Sequence, residues 1–166
     1  MTFTPMPISK KIILGIDPGL ANTGFGVIEK FGSQLKTLDY GTIKTSPSSE
    51  EKLRLLEISK SLNHLIKKYR PELMAVEKLF FCKNVKTAIA VGQARGVAIL
   101  SAGNKNIELL EYTPLQVKQA LTSYGKASKK QVQSMVKTIL GLPKPPKSDD
   151  AADALAVAIC AAHSKR

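Results

Sequence analysis

The short run Lys11 to Asp17 (KIILGID) constrains the fold most. It is apolar, rich in isoleucine and followed at once by Pro18-Gly19. A run of this length bounded by a turn signal reads as a buried strand. The strand ends in a carboxylate, and burying a charge is costly unless it is paired, hydrogen-bonded or bound to a metal. Asp17 therefore has two readings. It either closes an Asx-type turn in Asp-Pro-Gly or belongs to a site at the strand's C-terminal end.

The segments that follow give the architecture. Gly24–Glu29 and Leu38–Thr45 read as two further strands at hairpin spacing. Ser46–Ser49 supplies a loop and a helix cap, and Leu53, Leu56, Leu62, Leu65 and Ile66 recur at helical period until Pro71 stops the helix. Leu73–Lys78 is a fourth strand, 84–102 a long helix rich in Ala, Val and Gly, and Ile107–Tyr112 a fifth strand. Helices follow at about 114–123, 129–140 and 149–163. Three hairpin-linked strands followed by alternating elements predict an α/β fold, a mixed five-stranded sheet flanked by helices. At 166 residues the chain suits one domain. Residues 1–10, with Pro5 and Pro7, read as a loose leader, and 11–166 as the folded unit.

Composition narrows the function. Lys plus Arg is 25 and Asp plus Glu is 13, a net charge of +12, so the surface attracts a polyanion, most often nucleic acid. No apolar run approaches the ~20 residues of a membrane span, and the N-terminus shows no secretory h-region. Two cysteines, Cys82 and Cys160, are too few for a disulfide framework or a zinc site, and His64 and His163 have no ligand spacing. The expectation is a cytoplasmic protein with no membrane association. No Ser-His-Asp or Cys-His set and no phosphate-binding Gly-Lys-Ser/Thr loop is present.

The acids point to metal chemistry. Glu77 lies at the end of the fourth strand, and a crossover connection would set that strand parallel to the first, with Asp17 and Glu77 at the same edge. Alone, Glu77 is also compatible with a solvent-facing strand position. The last helix opens Ser148-Asp149-Asp150-Ala151-Ala152-Asp153. Ser148 is a natural N-cap and acids suit the first turn, but two acids would satisfy the helix dipole and here there are three. Asp150 and Asp153 lie about 60° apart around the helix and Asp149 and Asp153 about 40°, so helical geometry alone leaves Asp149 and Asp150 open. Four carboxylates suit a hard cation such as Mg²⁺, and a pair of such ions can promote phosphodiester hydrolysis.

The bases point to the substrate. From Tyr112 to Ser148 there is no acid, and the same 37 positions hold seven lysines. Ser128-Lys129-Lys130-Gln131 has the form of a capping box, which sets two lysines in a first turn, where the dipole disfavours cations. A phosphate bound at Lys129 or Lys130 would reverse that penalty. A solvated helix face is the plainer alternative. Phe80 and Phe81 follow Glu77, and two adjacent aromatics cannot easily both point into the core, so one is free to stack on or wedge between bases. Gly92 and Gly96 suggest close helix packing, within the chain or across a dimer.

The strings GIDPGLANTGFGV (15–27), VEKLFFCKN (76–84), VGQARGV (91–97), YTPLQVKQAL (112–121), GKASKKQVQSMV (125–136) and DDAADALAVAI (149–159) resemble, in order, those of the RuvC family of bacterial Holliday junction resolvases. The resemblance implies a ribonuclease H-like fold and a homodimeric endonuclease that nicks opposed strands of four-way junction DNA, leaving a 5′-phosphate and a 3′-hydroxyl. It implies Mg²⁺, two ions per active site, with Mn²⁺ as a substitute, and the RuvA–RuvB branch-migration complex as partner. It places the family's four acids on Asp17, Glu77, Asp150 and Asp153, selecting Asp150 over Asp149 by its Asp-x-x-Asp spacing. It places the wedge aromatic on Phe80 and the active-site lysines on Lys118 and Lys129. The ten-residue leader is longer than the family usually carries, and the doubled Asp149-Asp150 departs from its pattern.

Three rival readings follow from the same residues. A ribonuclease H-like nuclease for RNA–DNA hybrids would share the acids. A junction-binding module without chemistry would share the lysines. An actin-like ATPase would share the Gly-Ile-Asp strand but needs two such domains, more than 166 residues hold.

Overall fold

The structure, a computed structural model, describes residues 9–78 and 84–164. The first strand, β1, runs Lys10–Asp17 and enters a hairpin with β2 (Asn22–Phe31), which pairs in turn with β3 (Gln34–Lys44). Both pairings are antiparallel. Helix α1 (Glu51–Tyr69) crosses to β4 (Leu73–Glu77), α2 (Val85–Asn104) to β5 (Glu108–Tyr112), and these strands join β1 in parallel. The chain then forms α3 (Pro114–Thr122), α4 (Lys129–Leu140) and α5 (Asp149–Ser164). The result is the expected mixed five-stranded sheet, in the order β3-β2-β1-β4-β5.

Strand alternation builds two cores. Ile13, Leu73 and Ala75 face α3, α4 and α5, while Leu14, Ile16, Met74 and Val76 face α1 and α2. Helix α5 lies against the hairpin through small residues. A methyl group added at Gly15 or at Gly24 would run into the backbone carbonyl of Ala154 or of Asp150, and one at Gly26 would lie 2.6 Å from a Leu155 methyl. Bare backbone at Gly15 and Gly24 thus lets the helix approach the sheet main chain to main chain, and Gly26 makes room for Leu155.

Several sequence expectations need correction. Strand β1 takes in Lys10, expected in the leader, and β2 begins two residues earlier than expected, at Asn22. No serine caps α1. Its N-cap is Glu50, without a side-chain bond, and the Ser46 and Ser48 hydroxyls bond each other at 2.8 Å instead. Leu53 and Leu56 are about half exposed, whereas Ile58, Leu62, Leu65 and Ile66 are buried. At about 100° per residue, Leu53 lies opposite Leu62 on the helix, so only the C-terminal half of the apolar pattern meets the sheet.

Candidate metal centre

Asp17 is the last residue of β1, and Glu77 the last of β4. The two strands pair in parallel up to Ile16 and Val76, so the carboxylates stand one step beyond the same rung. The turn after Asp17 is held by Thr23, whose buried hydroxyl donates to the Gly19 carbonyl at 2.7 Å and accepts from the Gly19 amide at 3.4 Å. Among the described residues these bonds come from Thr23, not from the Asp17 carboxylate, which disposes of the Asx-turn reading.

The third and fourth acids arrive with α5. Ser148 caps it, accepting from the Ala151 amide at 3.3 Å, and its hydroxyl meets that of Thr42 on β3 at 2.8 Å. The helix start is thereby tied to the sheet next to the Asp17–Gly24 rung. Asp150 and Asp153 both act on Asp17 through their charge. Asp149 differs. It is exposed, accepts from the Gln133 side chain at 2.8 Å and pairs with Lys129 at 3.2 Å, and these contacts hold its carboxyl below the usual range.

The lysines enter from the opposite side. Capping boxes at Thr113/Gln116 and Ser128/Gln131 start α3 and α4. Lys129, first residue of α4, brings its Nζ to 3.5 Å from Asp153. Lys118 and Lys129 line a cavity of about 230 Å³ together with Glu77 and Asp153, over a floor of Val117, Val132 and Ala156. Lys130 is exposed on the same turn, and Phe80 lies outside the described residues.

Electrostatics define the centre. Burial, reinforced by Asp153, Asp150 and Glu77, pushes Asp17 up to about 8. Burial and Asp153 raise Glu77, against the opposing charges of Lys118 and Lys129. Burial also raises Asp153, although Lys129 opposes it. Lys129 loses some hydration, yet Asp153 and Asp149 keep its ammonium above the ordinary lysine value. Mutual repulsion between buried carboxylates is what a bound cation relieves. Among the described residues no group of three or more His, Cys, Asp or Glu side chains is arranged to hold a metal ion as it stands. The donor set is nonetheless all oxygen and strongly anionic, as a hard divalent ion requires.

Sequence reasoning missed two features. Arg95, in the VGQARGV string, pairs with Glu111 of β5 and bonds the Glu77 carbonyl. A lone arginine in a helix of small apolar residues was the available signal. Lys44 of β3 joins Lys144 and Lys147 along a groove that also reaches Thr42 and Ser148. Only its position on a strand far from the basic segment hid it.

Comparison with known proteins agrees with this arrangement. Residues 13–161 match the family described as crossover junction endodeoxyribonuclease RuvC. The protein of that name from Desulforamulus reducens is 58% identical over 149 residues, 90% of this chain and 91% of the relative. That from Alkaliphilus oremlandii is 58% identical over 153 residues, 92% and 93% of the two chains. The solved structure of T. thermophilus RuvC in complex with Holliday junction substrate superposes with a TM-score of 0.88 at 36% identity, over 93% of this chain and 95% of that one. With the ribonuclease H-like sheet, the clustered acids and these matches in hand, the chain belongs to the RuvC family of crossover junction endodeoxyribonucleases.

Proposed function

We propose that this chain resolves four-way DNA junctions by hydrolysing one phosphodiester in each of two opposed strands. The observation that carries the reading is the burial of Asp17 at the end of β1 within reach of the charges of Asp153, Asp150 and Glu77. In the reaction water forms a new bond to phosphorus, the bond to the 3′-oxygen breaks, and that oxygen leaves with a proton as the 3′-hydroxyl. The 5′-phosphate stays on the other fragment.

Asp17, Glu77, Asp150 and Asp153 would hold Mg²⁺, two ions per site, with Mn²⁺ able to replace it. When bound, the metal supplies Lewis acidity at the phosphate and lowers the pKa of water. Lys118 and Lys129, on the cavity wall facing Glu77 and Asp153, hold the phosphate oxygens and offset charge that develops there. Lys129, now paired with Asp149 and Asp153, would turn its ammonium to a phosphate oxygen when DNA binds.

Two basic tracks flank the acids. Lys118 and Lys129 line one side, on α3 and α4, with Lys130 exposed beside Lys129, and the groove of Lys44, Lys144 and Lys147 lies on the other, beside the start of α5. A duplex arm crossing the site would meet phosphate-binding lysines at both edges, with a salt-dependent affinity.

A second copy of the chain would bind through α2. Val85, Ile89, Gly96 and Leu100 fall within an arc of about 60°, and the three larger side chains are 71%, 57% and 62% exposed. A methyl added at Gly96 would meet nothing within 4 Å. This apolar stripe suits a homodimer whose two-fold axis matches the junction's symmetry. The RuvA–RuvB complex is the expected partner in a cytoplasmic setting. Among the described residues no helix is long and apolar enough to cross a membrane.

The reading is tested by incubating the protein with an immobile four-way junction, and with an RNA–DNA hybrid, in Mg²⁺ and in EDTA. Paired nicks in the junction with Mg²⁺ alone are expected, with ligatable 5′-phosphate ends. Cleavage confined to the hybrid would transfer the assignment to an RNA-directed nuclease. Binding of the junction with no cutting would leave only a junction-binding module.

A further inference from the structure

Glu77 is the final residue of its strand. A carboxylate at a strand end is only as well placed as the backbone that carries it. On the β5 side that backbone has a good anchor, since Glu77 pairs with Tyr112 and the Lys78 amide donates to the Tyr112 carbonyl at 2.7 Å.

A second anchor comes from behind the sheet. Strand alternation turns Val76 toward α1 and α2, and so turns the Glu77 side chain toward α5, where it lines the cavity with Asp153 and Lys118. Arg95 sits on α2, on the Val76 side. Its Nε donates to the Glu77 carbonyl oxygen at 3.4 Å, and its Nη2 pairs with the Glu111 carboxylate. Arg95 is largely buried, with only 18% of its side chain exposed, and Glu111 neighbours Tyr112 on β5. One guanidinium thus joins the last rungs of two adjacent strands. Arg95 meets the main-chain oxygen of Glu77 and not its carboxylate, so it acts on the position of that side chain.

We infer that Arg95, oriented by Glu111, is a positioning residue for Glu77, fixing from the opposite face of the sheet the backbone that presents this carboxylate to the cation. The planar fork of arginine suits the task, because it can serve a carbonyl and a carboxylate at once in one fixed geometry. Groups that orient metal ligands in this way commonly change cation affinity by roughly ten- to a hundredfold when removed. The inference rests on the assignment of Glu77 as a cation ligand made above.

The experiment measures Mn²⁺ binding to the full-length protein by calorimetry, alongside junction affinity in EDTA. The variants are Arg95→Met, Arg95→Lys, Glu111→Gln and the double variant Arg95→Met/Glu111→Gln, with Glu77→Gln as the reference. Arg95→Met and Glu111→Gln are each expected to weaken Mn²⁺ binding by roughly tenfold, with junction affinity in EDTA unchanged. The double variant is expected to match Arg95→Met, because the two side chains act as one unit. Arg95→Lys keeps the charge but loses the fork, and is expected to fall between wild type and Arg95→Met. Should Arg95→Met fail to fold, Glu111→Gln and Arg95→Lys carry the test. Wild-type Mn²⁺ affinity in the folded variants, with Glu77→Gln impaired, would overturn the inference alone. Wild-type affinity in Glu77→Gln would overturn the ligand assignment beneath it.

Discussion

The Lys129 ammonium stands 3.5 Å from a carboxylate oxygen of Asp153, joining the first turn of α4 to the second turn of α5 across the cavity. A cation in the first turn of a helix is locally unfavourable. Here the neighbouring helix supplies the anions that compensate it. Replacing Lys129 with Met is expected to reduce junction cleavage by about 10²- to 10³-fold through loss of charge stabilisation at the phosphate. Binding in EDTA should weaken only by the contribution of one phosphate contact. Single-turnover cleavage and a gel-shift titration check the two outcomes.

Asp17 links stability to pH. Between its unfolded value of 3.8 and its folded value of about 8, the folded protein retains a proton that the unfolded chain has released. The metal-free protein should therefore lose stability as the pH rises through this window, by up to about 1.4 kcal/mol per pH unit. Asp17→Asn removes the ionisation. It is expected to raise the Tm of the metal-free protein at pH 8 while abolishing cleavage, as measured by thermal unfolding in EDTA and by a junction-nicking assay.

The same carboxylate makes metal binding compete with protonation. Mg²⁺ affinity is expected to increase with pH and to level off above about 8, where Asp17 is ionised without help from the metal. The Mg²⁺ concentration for half-maximal cleavage, followed from pH 6 to 9, reports this directly. In Asp149→Asn the profile should keep its shape, because Asp149 is exposed and engaged with Gln133 and Lys129.

The groove of Lys44, Lys144 and Lys147 predicts a graded electrostatic effect. Changing each lysine to Gln should lower junction affinity and reduce the slope of log affinity against log salt by about one for each phosphate that is no longer neutralised. Cutting at saturating protein should remain. Fluorescence anisotropy across a salt series gives both numbers.

Gly24→Ala would direct a methyl group into the Asp150 carbonyl. The expected cost is about 1–3 kcal/mol of stability, typical of forced overpacking. Cleavage should fall by more than the unfolded fraction explains, because the displaced segment carries Asp150. Urea unfolding and specific activity of the folded protein separate the two effects.

Much of this was legible in the sequence. Asp17 and Glu77 could be brought together because both end apolar strands and the intervening helix required a parallel pairing. The capping box at Ser128 follows local chemistry, which a sequence states directly. What stayed hidden depended on three-dimensional neighbours. Helical angles left Asp149 and Asp150 open, and the bond that engages Asp149 comes from Gln133, a residue on another helix. Arg95 gave no local sign that it reaches the Glu77 carbonyl from the far side of the sheet. Leu53 and Leu56 fit an apolar helix by type, but their angular position keeps them off the sheet.

Gly15 and Gly24 let α5 rest on the β1–β2 hairpin main chain to main chain, against the carbonyls of Ala154 and Asp150. The span from Asp17 to the helical acids is therefore gauged by main-chain atoms, which have no rotamers to exchange. Substitutions deep in either apolar layer can loosen the domain while this gauge keeps its setting, so the protein has room to drift in sequence without detuning its chemistry.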